Sequence, residues 1–320
     1  MPFSLFDLQF LILSGKGGVG RTTVAAAIAR AGAASGKRVL IAQTDAVERL
    51  GKMLGRPGPI GPVVTNLAPG IDAVNMTPKE SLHQYALLVL KYEAVYRALF
   101  ASRAVRGFLS AIPGLDAYAM LGKAWWHTTE SSGIAESPPG SRPRPKYDLV
   151  ILDGPATGHA VAMLKIPKAI IDATPTGPLV KDARALRDLL SDSARSALVI
   201  VTRPEDLPAS ETRELARAAR RDLGISLGPV IVNAVPPDRL SHGPAADVLD
   251  RFVAPTGARA LDATLAIAAG LREQRRTADR IINDLKSDPG QPLVCLPWVP
   301  ATELTAREID QLAAALRSAL

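Results

Sequence analysis

A glycine-rich segment near the start of the chain constrains the fold more than any other feature. It reads Ser14-Gly15-Lys16-Gly17-Gly18-Val19-Gly20-Arg21-Thr22-Thr23. An apolar run at 10–13 precedes it and predicts a buried strand, and a helical pattern follows over 22–34. Glycines at such a junction let consecutive backbone N–H groups converge on one anion, and the helix N-terminus adds its positive dipole. This order of strand, loop and helix predicts a phosphate-binding loop (P-loop).

The rest of the chain alternates short apolar runs with helical stretches. Further strands are predicted at 39–43, 71–76, 147–152, 197–202, 229–233 and 292–296, and a Gly/Pro-rich loop at 55–69. Helices are predicted at 158–194, 208–222, 244–287 and 302–319. Nearly continuous apolar strands separated by helices are typical of a mainly parallel sheet with helices on both faces. The expected fold class is therefore α/β.

Two segments interrupt this alternation. Residues 78–130 carry apolar side chains at helical spacing, which predicts a helical insertion on one side of the sheet. Residues 132–146 are rich in Pro, Gly and Ser and are predicted to form an exposed, flexible loop. We interpret residues 1–320 as one P-loop domain that contains both segments.

Composition excludes several classes of function. Hydrophobic residues make up 47% of the chain and charged residues 22%, which is the balance of a globular protein. No apolar run reaches the ~18 residues of a membrane span, and the opening residues lack the basic start of a signal peptide. We therefore expect a cytoplasmic protein that is at most peripheral to a membrane. The net charge is +7, but basic and acidic residues are interspersed and aromatics are only 4%, which argues against nucleic acid as a partner.

The single cysteine also limits the chemistry. Cys295 alone cannot form a disulfide or a multi-cysteine metal site within one chain. It lies in the apolar run 292–296, where we expect it to be packed inside and unreactive.

Several motifs resemble those of one family. The segment 153–159, DGPATGH, ends an apolar run and is similar to the DTAPTGH-type segment of the ArsA-type ATPases, which include arsenite-pump ATPases and ATPases that target tail-anchored membrane proteins. Thr44-Asp45 resembles the family's S-T-D switch, and 203–211 resembles its P-E-x-L-x-x-x-E segment. Ile231-Val-Asn233 and Leu296-Pro297 match its later I-V-N and L-P motifs. The loop itself resembles the deviant form KGGxGK[ST], with Lys16 as the additional lysine and Arg21 in place of the usual one.

The resemblance implies a role for each matching residue. Gly15, Gly17, Gly18, Val19, Gly20, Arg21, Thr22 and Thr23, together with Lys16, would bind ATP or ADP. The Thr22 hydroxyl and Asp153, the latter through a water, would hold Mg²⁺. Lys16 would reach the phosphates of a facing subunit, and Asp45 would orient the attacking water. Asn233 and Pro297 would contact the adenine.

The resemblance also implies partners. Two subunits would face each other across the nucleotide, either as a homodimer or as a heterodimer with another ArsA-like chain. The insertion 78–130 would either bind a client or effector or pack on its own domain or the partner. With one cysteine and no CxxC pair, the chain has neither the zinc clasp nor the arsenite site of its better-known relatives.

Arg21 leaves three functions open. The planar guanidinium is wider than an ammonium, so it would shift the γ-phosphate and slow a reaction that depends on positioning. The first possibility is a Mg-ATP-dependent switch with slow or partner-dependent hydrolysis. The second is a nucleotide-binding subunit that is degenerate in its own site. The third is an ATPase of the partitioning type, which binds DNA or membrane surfaces.

Overall fold

The computed structural model describes residues 5–320 except 48, 91–100, 104–113, 132–144, 174–175, 177, 253–255 and 288–291. This part of the chain forms one eight-stranded sheet with helices on both faces. Every neighbouring pair of strands is parallel except β3–β4 at one edge. The predicted α/β fold with a mainly parallel sheet is confirmed.

The strand order places the first strand in the middle of the sheet. Across the sheet the order is β3-β4-β2-β5-β1-β6-β7-β8. The strands are β1 (Phe10–Gly15), β2 (Val39–Thr44), β3 (Thr65–Ala68), β4 (Ile71–Met76), β5 (Leu149–Ala156), β6 (Ser196–Thr202), β7 (Leu227–Val235) and β8 (Leu293–Pro297).

Helices connect the strands. They are α1 (Arg21–Ala34), α2 (Leu50–Met53), α3 (Pro78–Leu90), α4 (Leu115–Thr129), α5 (Thr157–Ala173), α6 (Pro178–Ser191), α7 (Asp206–Ala218), α8 (Pro244–Arg251), α9 (Arg259–Lys286) and α10 (Ala306–Ala319). A π-helical turn, Ala219–Leu223, follows α7, and a short 3-10 helix, Leu5–Asp7, precedes β1.

The two faces of the sheet are buried by different helices. In β1, Leu11 and Leu13 join the core under α1 and α10, whereas Phe10 and Ile12 join the core under α4 to α7. This follows from the two-residue period of a strand, because successive side chains point to opposite faces. A strand buried on both faces is apolar throughout, which explains why the sequence revealed β1 so clearly.

Some predicted boundaries are wrong. The stretch 158–194 is two helices, α5 and α6, and Pro178 begins the second of them, a position that suits proline. The stretch 244–287 is likewise divided into α8 and α9. Within the predicted loop 55–69, the edge strand β3 pairs with β4. An edge strand of four residues has little periodicity of its own, so its pairing is determined by its neighbour.

The predicted insertion is described in part. Its two ends are the helices α3 and α4, while 91–100 and 104–113 lie outside the described residues. Tyr118 and Leu121 of α4 are buried against the sheet, so this part of the insertion packs on its own domain. Most of the predicted flexible loop, 132–144, also lies outside the described residues.

Cys295 is exposed, so the prediction that it is packed inside is wrong. In edge strand β8 burial alternates: Val294 and Leu296 are buried, while Cys295 faces outward. As for membranes, none of the helices in the described ranges is both long and apolar enough to cross a bilayer.

Candidate nucleotide-binding site

The predicted site residues lie at one edge of the sheet. Because the strands are parallel, their carboxyl ends meet at the same edge, and the chain leaves each strand there into a loop. The glycine-rich loop follows β1, Asp45 follows β2, and Asp153 lies in the last half of β5. Asn233 and Pro297 lie at the ends of β7 and β8. The fold therefore brings to one edge of the sheet site residues that are spread over nearly 300 positions of the sequence.

The glycine-rich loop is shaped by backbone that favours glycine. Gly18 and Gly20 have φ angles of +84° and +93°, in the region that other residues rarely adopt. Gly20 is also the N-cap of α1, so the loop leads directly into the helix N-terminus. A Cβ at Gly20 would lie 2.3 Å from the Asn233 side-chain nitrogen, so a larger residue there would displace Asn233.

Asn233 is tied to this loop. Its side-chain amide nitrogen donates a hydrogen bond to the Val19 carbonyl oxygen at 2.9 Å. Because a carbonyl oxygen can only accept, the amide nitrogen faces the loop and the amide oxygen is left to face elsewhere. The family resemblance implies that Asn233 contacts the adenine, and in the fold its amide nitrogen also holds the loop.

A buried cluster surrounds Asp153. The Thr22 hydroxyl donates to Asp153 Oδ2 at 2.7 Å, and the Gln43 amide nitrogen lies 3.4 Å from the same oxygen. The Thr44 hydroxyl donates to the backbone oxygen of Asp153 at 3.1 Å. Burial raises the pKa of Asp153, while the bonds from Thr22 and Gln43 and the charge of Arg21 act to lower it. The two residues predicted to hold a metal, Thr22 and Asp153, are thus in direct contact.

Gln43 was not predicted as a site residue. Its Oε1 is buried and has no hydrogen-bond partner among the described residues, although its amide nitrogen lies beside Asp153. The signal in the sequence was a single polar residue inside the apolar run 39–43. An unsatisfied buried oxygen costs free energy, so its retention points to a further polar group at this place.

Lys16 is bound within its own chain. Its Nζ lies 2.5 Å from Glu211 Oε1 in the middle of α7, and both side chains are about one-third exposed or less. The hydrogen bond from Lys16 is the main reason that the pKa of Glu211 is lowered. The sequence placed Glu211 in a family motif but did not assign it to Lys16.

Arg21 turns back onto the loop. One guanidinium nitrogen donates to the Gly15 carbonyl oxygen at 2.6 Å and to that of Lys16 at 3.1 Å. Its Nε is buried without a partner in the described part of the chain. Burial lowers the pKa of Arg21, and the Asp153 charge opposes that shift. The side chain therefore braces the loop by binding two of its carbonyl groups.

Asp45 follows β2 in a left-handed conformation, with φ +46°. Its backbone N–H donates to the Met76 carbonyl oxygen at 2.8 Å, and its side chain is exposed at the same edge as the loop. Thus the predicted switch residue lies where it can face solvent or another molecule.

A cavity of about 260 Å³ lies beside the loop. Gly20, Asn233 and Pro297 line it, and the family resemblance implies that the last two contact the adenine. Arg203, Trp298 and Leu304 also line it. A polar amide, a cation and apolar side chains around one cleft suit a planar heterocycle.

The fold and the site together define a P-loop α/β protein. Residues 8–174, slightly more than half of the chain, match the model of the anion-transporting ATPase family, ArsA_ATPase. The chain belongs to this family.

Individual proteins are also similar to this chain. ATPase BagA of Mycobacterium tuberculosis is 27% identical over 238 residues, which cover 72% of this chain and 66% of that protein. An uncharacterized protein of Streptomyces coelicolor is 30% identical over 285 residues, which cover 86% of this chain and 63% of that protein. An arsenical pump-driving ATPase of Acidiphilium multivorum is 27% identical over 285 residues, covering 82% and 45%. The chain therefore spans less than two thirds of the length of these relatives.

Proposed function

We propose that this chain binds ATP with Mg²⁺ and hydrolyses it as a dimer, so that the nucleotide controls whether two subunits close on each other. The observation that carries the proposal is the 2.7 Å contact between the Thr22 hydroxyl and the Asp153 carboxylate beside the glycine-rich loop. Backbone N–H groups, a hydroxyl and a carboxylate together suit a nucleotide phosphate bound with a hard divalent cation. The relatives BagA of Mycobacterium tuberculosis and the arsenical pump-driving ATPase of Acidiphilium multivorum are both named as ATPases, which supports the same activity.

The residues present fit Mg²⁺. Thr22 and Asp153 would hold it, and both supply the oxygen ligands that this ion prefers. A cation would favour the charged form of Asp153 and so offset the burial that raises its pKa. A metal-bound water could also satisfy the unpartnered Oε1 of Gln43. When bound, the ion would neutralise charge on the phosphates.

The base site supports adenine over guanine. Since the Asn233 nitrogen is committed to Val19, its oxygen remains as an acceptor for an exocyclic amino group on the base. Adenine offers that group where guanine has a carbonyl oxygen. Pro297 and Trp298 would pack against the ring.

Lys16 and Asp45 are proposed as the catalytic residues. Lys16 would exchange Glu211 for the phosphates of a facing subunit, where an ammonium stabilises the charge that develops in phosphoryl transfer. Asp45, exposed at the same edge, would orient the attacking water. The facing subunit is a second copy of this chain or a related ArsA-like chain, and a client or effector at 78–130 remains part of the proposal.

Hydrolysis should be slow because of Arg21. A guanidinium that binds the carbonyls of Gly15 and Lys16 is not free to bridge the β- and γ-phosphates as a lysine does. The same observation favours the second candidate function, a subunit that binds nucleotide but depends on a partner with a complete loop.

Restoring lysine distinguishes these candidates. If the guanidinium displaces the γ-phosphate, Arg21→Lys should raise the ATPase rate of the isolated protein about tenfold or more, the magnitude expected of one regained charge contact. Steady-state phosphate release measures this, with Arg30→Lys as the matched control, because Arg30 lies on the same helix but pairs with Asp310. A rate that stays the same or falls would mean that the site has adapted to arginine.

Nucleotide binding itself is tested by thermal unfolding. At a hundredfold excess over Kd, Mg-ADP should stabilise the protein by about 2.7 kcal/mol and raise Tm by several degrees, more than Mg-GDP does. Gly20→Ala should abolish the shift, because its Cβ would displace Asn233. Gly36→Ala is the matched control: its φ is +80°, but nothing lies within 4 Å of the added Cβ.

Two outcomes would contradict the proposal. If millimolar Mg-ADP and Mg-ATP leave the Tm of the folded protein unchanged, the loop is not a nucleotide site. If Gly20→Ala responds as fully as Gly36→Ala does, nucleotide binds elsewhere.

A further inference from the structure

The loop after β2 is fastened to the neighbouring strand β4 by one side chain. The Asn75 side-chain oxygen accepts a hydrogen bond from the Ala46 N–H at 3.0 Å, and its amide nitrogen donates to the Ala46 carbonyl oxygen at 2.8 Å. One amide thus pairs with both backbone groups of a single residue, as a neighbouring strand would. Ala46 directly follows Asp45.

The backbone of Asn75 is itself held in place. Asn75 pairs with Gln43 in the β2–β4 register, and its N–H donates to the Gly61 carbonyl oxygen at 2.9 Å. The next residue, Met76, accepts the Asp45 N–H at 2.8 Å. The backbone N–H of Asp45 and both backbone groups of Ala46 are therefore hydrogen-bonded to the last two residues of β4, Asn75 and Met76.

Asp45 needs such support. It has a φ of +46°, a left-handed conformation that is unfavourable for a residue with a Cβ unless its surroundings impose it. The Asn75 amide determines where the chain goes immediately after Asp45, so it restricts the backbone angles that Asp45 can adopt. Without it, the exposed loop would be free to relax toward the ordinary helical or extended regions.

We propose that Asn75 is a positioning residue for hydrolysis: its side-chain amide holds the Asp45 backbone so that the carboxylate faces the attacking water. The inference rests on the proposed role of Asp45. Both side-chain amide groups of Asn75 are bonded to Ala46, so we expect Asn75 to act on the rate of the reaction and not on binding. Because α3 begins at Pro78, the same bonds also join this loop to the base of the helical insertion.

The test compares two variants with a matched control. Asn75→Ala removes both hydrogen bonds, and Asn75→Asp keeps the shape and the acceptor but places an oxygen against the Ala46 carbonyl. Asn66→Ala is the control, because Asn66 also uses its side-chain nitrogen to bind backbone oxygens, those of Ala68 and Ile71, on β3 away from the site. The measurements are kcat, KM and Kd for Mg-ADP, and hydrogen exchange at the amides of Asp45 and Ala46.

We expect both Asn75 variants to lower kcat about 10- to 100-fold, as a small misplacement of a catalytic group does. KM and the Kd of Mg-ADP should stay within about twofold, and exchange at Asp45 and Ala46 should quicken about tenfold or more, since exchange reports the stability of local hydrogen bonds. Asn66→Ala should change none of these. A kcat within about twofold of wild type, or an equal loss of kcat in Asn66→Ala, would overturn the inference.

Failure of the proposed function gives a different result. If wild-type protein binds Mg-ADP but shows no hydrolysis, alone or with a related partner chain, the proposed activity is wrong. The exchange data then decide the structural part of the inference: unchanged exchange at Asp45 in both Asn75 variants would overturn it, and faster exchange would leave Asn75 as the residue that holds this loop.

Discussion

Replacing Lys16 by alanine should lower ATP turnover by ~10²–10³-fold, because an ammonium that meets the transferred phosphoryl group stabilises charge in the transition state. The loss should be in kcat, with the affinity for Mg-ADP nearly unchanged, since the backbone of the loop still binds the nucleotide. Lys165→Ala is the control: that lysine is also paired with a carboxylate, Asp222, at 3.7 Å, but it lies on α5 outside the site.

A mixing experiment shows in which subunit Lys16 acts. If Lys16 serves the facing subunit and Asp45 serves its own, then Lys16→Ala and Asp45→Ala chains are each inactive alone. Mixed dimers of the two variants have one complete site. If the chain forms homodimers whose subunits exchange and pair at random, the mixture should recover about a quarter of the wild-type rate.

The other results of mixing are equally informative. No recovery, in dimers shown to exchange, would mean that Lys16 and Asp45 of one subunit serve the same site, and the facing role of Lys16 would be wrong. If wild-type chain hydrolyses ATP only with an unlike ArsA-like chain, Lys16→Ala in this chain should reduce turnover sharply and Asp45→Ala much less.

Replacing Asp153 by asparagine should have two effects of opposite sign. Hydrolysis should fall ~10²-fold or more, because the asparagine cannot neutralise or orient Mg²⁺ as a carboxylate does. The protein without nucleotide should become more stable at neutral pH, because the substitution removes a carboxylate whose charged form is disfavoured by burial. The asparagine still accepts from the Thr22 hydroxyl, so the local packing is kept.

The sign of the pH dependence follows from the raised pKa of Asp153. In the unfolded chain the carboxyl ionises near its ordinary pKa of 3.8, and in the folded chain burial raises that pKa. The folded state therefore holds its proton more tightly, so the free energy of unfolding falls as pH rises from the unfolded pKa through the folded one. In Asp153→Asn the free energy of unfolding does not fall in this way, because the asparagine has no proton to lose.

Thermal unfolding measured from about pH 3 to about pH 8 checks the prediction. The advantage of Asp153→Asn over wild type should grow with pH and disappear near the acid end. Adding Mg-ADP should reverse the order, because only wild type gains from the metal. Asp172→Asn, an exposed carboxylate on α5 paired with Lys168, should show neither effect. An asparagine variant that is less stable at every pH would contradict the account of Asp153 burial.

The correct predictions concern features that depend on local order along the chain. Apolar periodicity predicts the strand β1. Backbone angles that glycine adopts easily predict the turn at Gly18 and Gly20, which leads into α1. The two-sided burial of the central strands made them apolar throughout, so the parallel sheet could be inferred without knowing the strand order. Where burial was one-sided or pairing depended on a neighbour, as at Cys295 and β3, the predictions were wrong.

The contacts between distant side chains depend on the fold of the whole chain. Lys16 and Glu211 are 195 positions apart, Asn233 and Val19 are 214 apart, and Thr22 and Asp153 are 131 apart. These contacts exist because the sheet places β1 between β5 and β6, with β7 next to β6, so that the loops after these strands share one edge. A hydrogen bond requires its two atoms to lie within about 3 Å of each other. Neither spacing along the chain nor residue type specifies that distance, so the partners of Lys16, Arg21 and Asn75 became visible only in the folded protein.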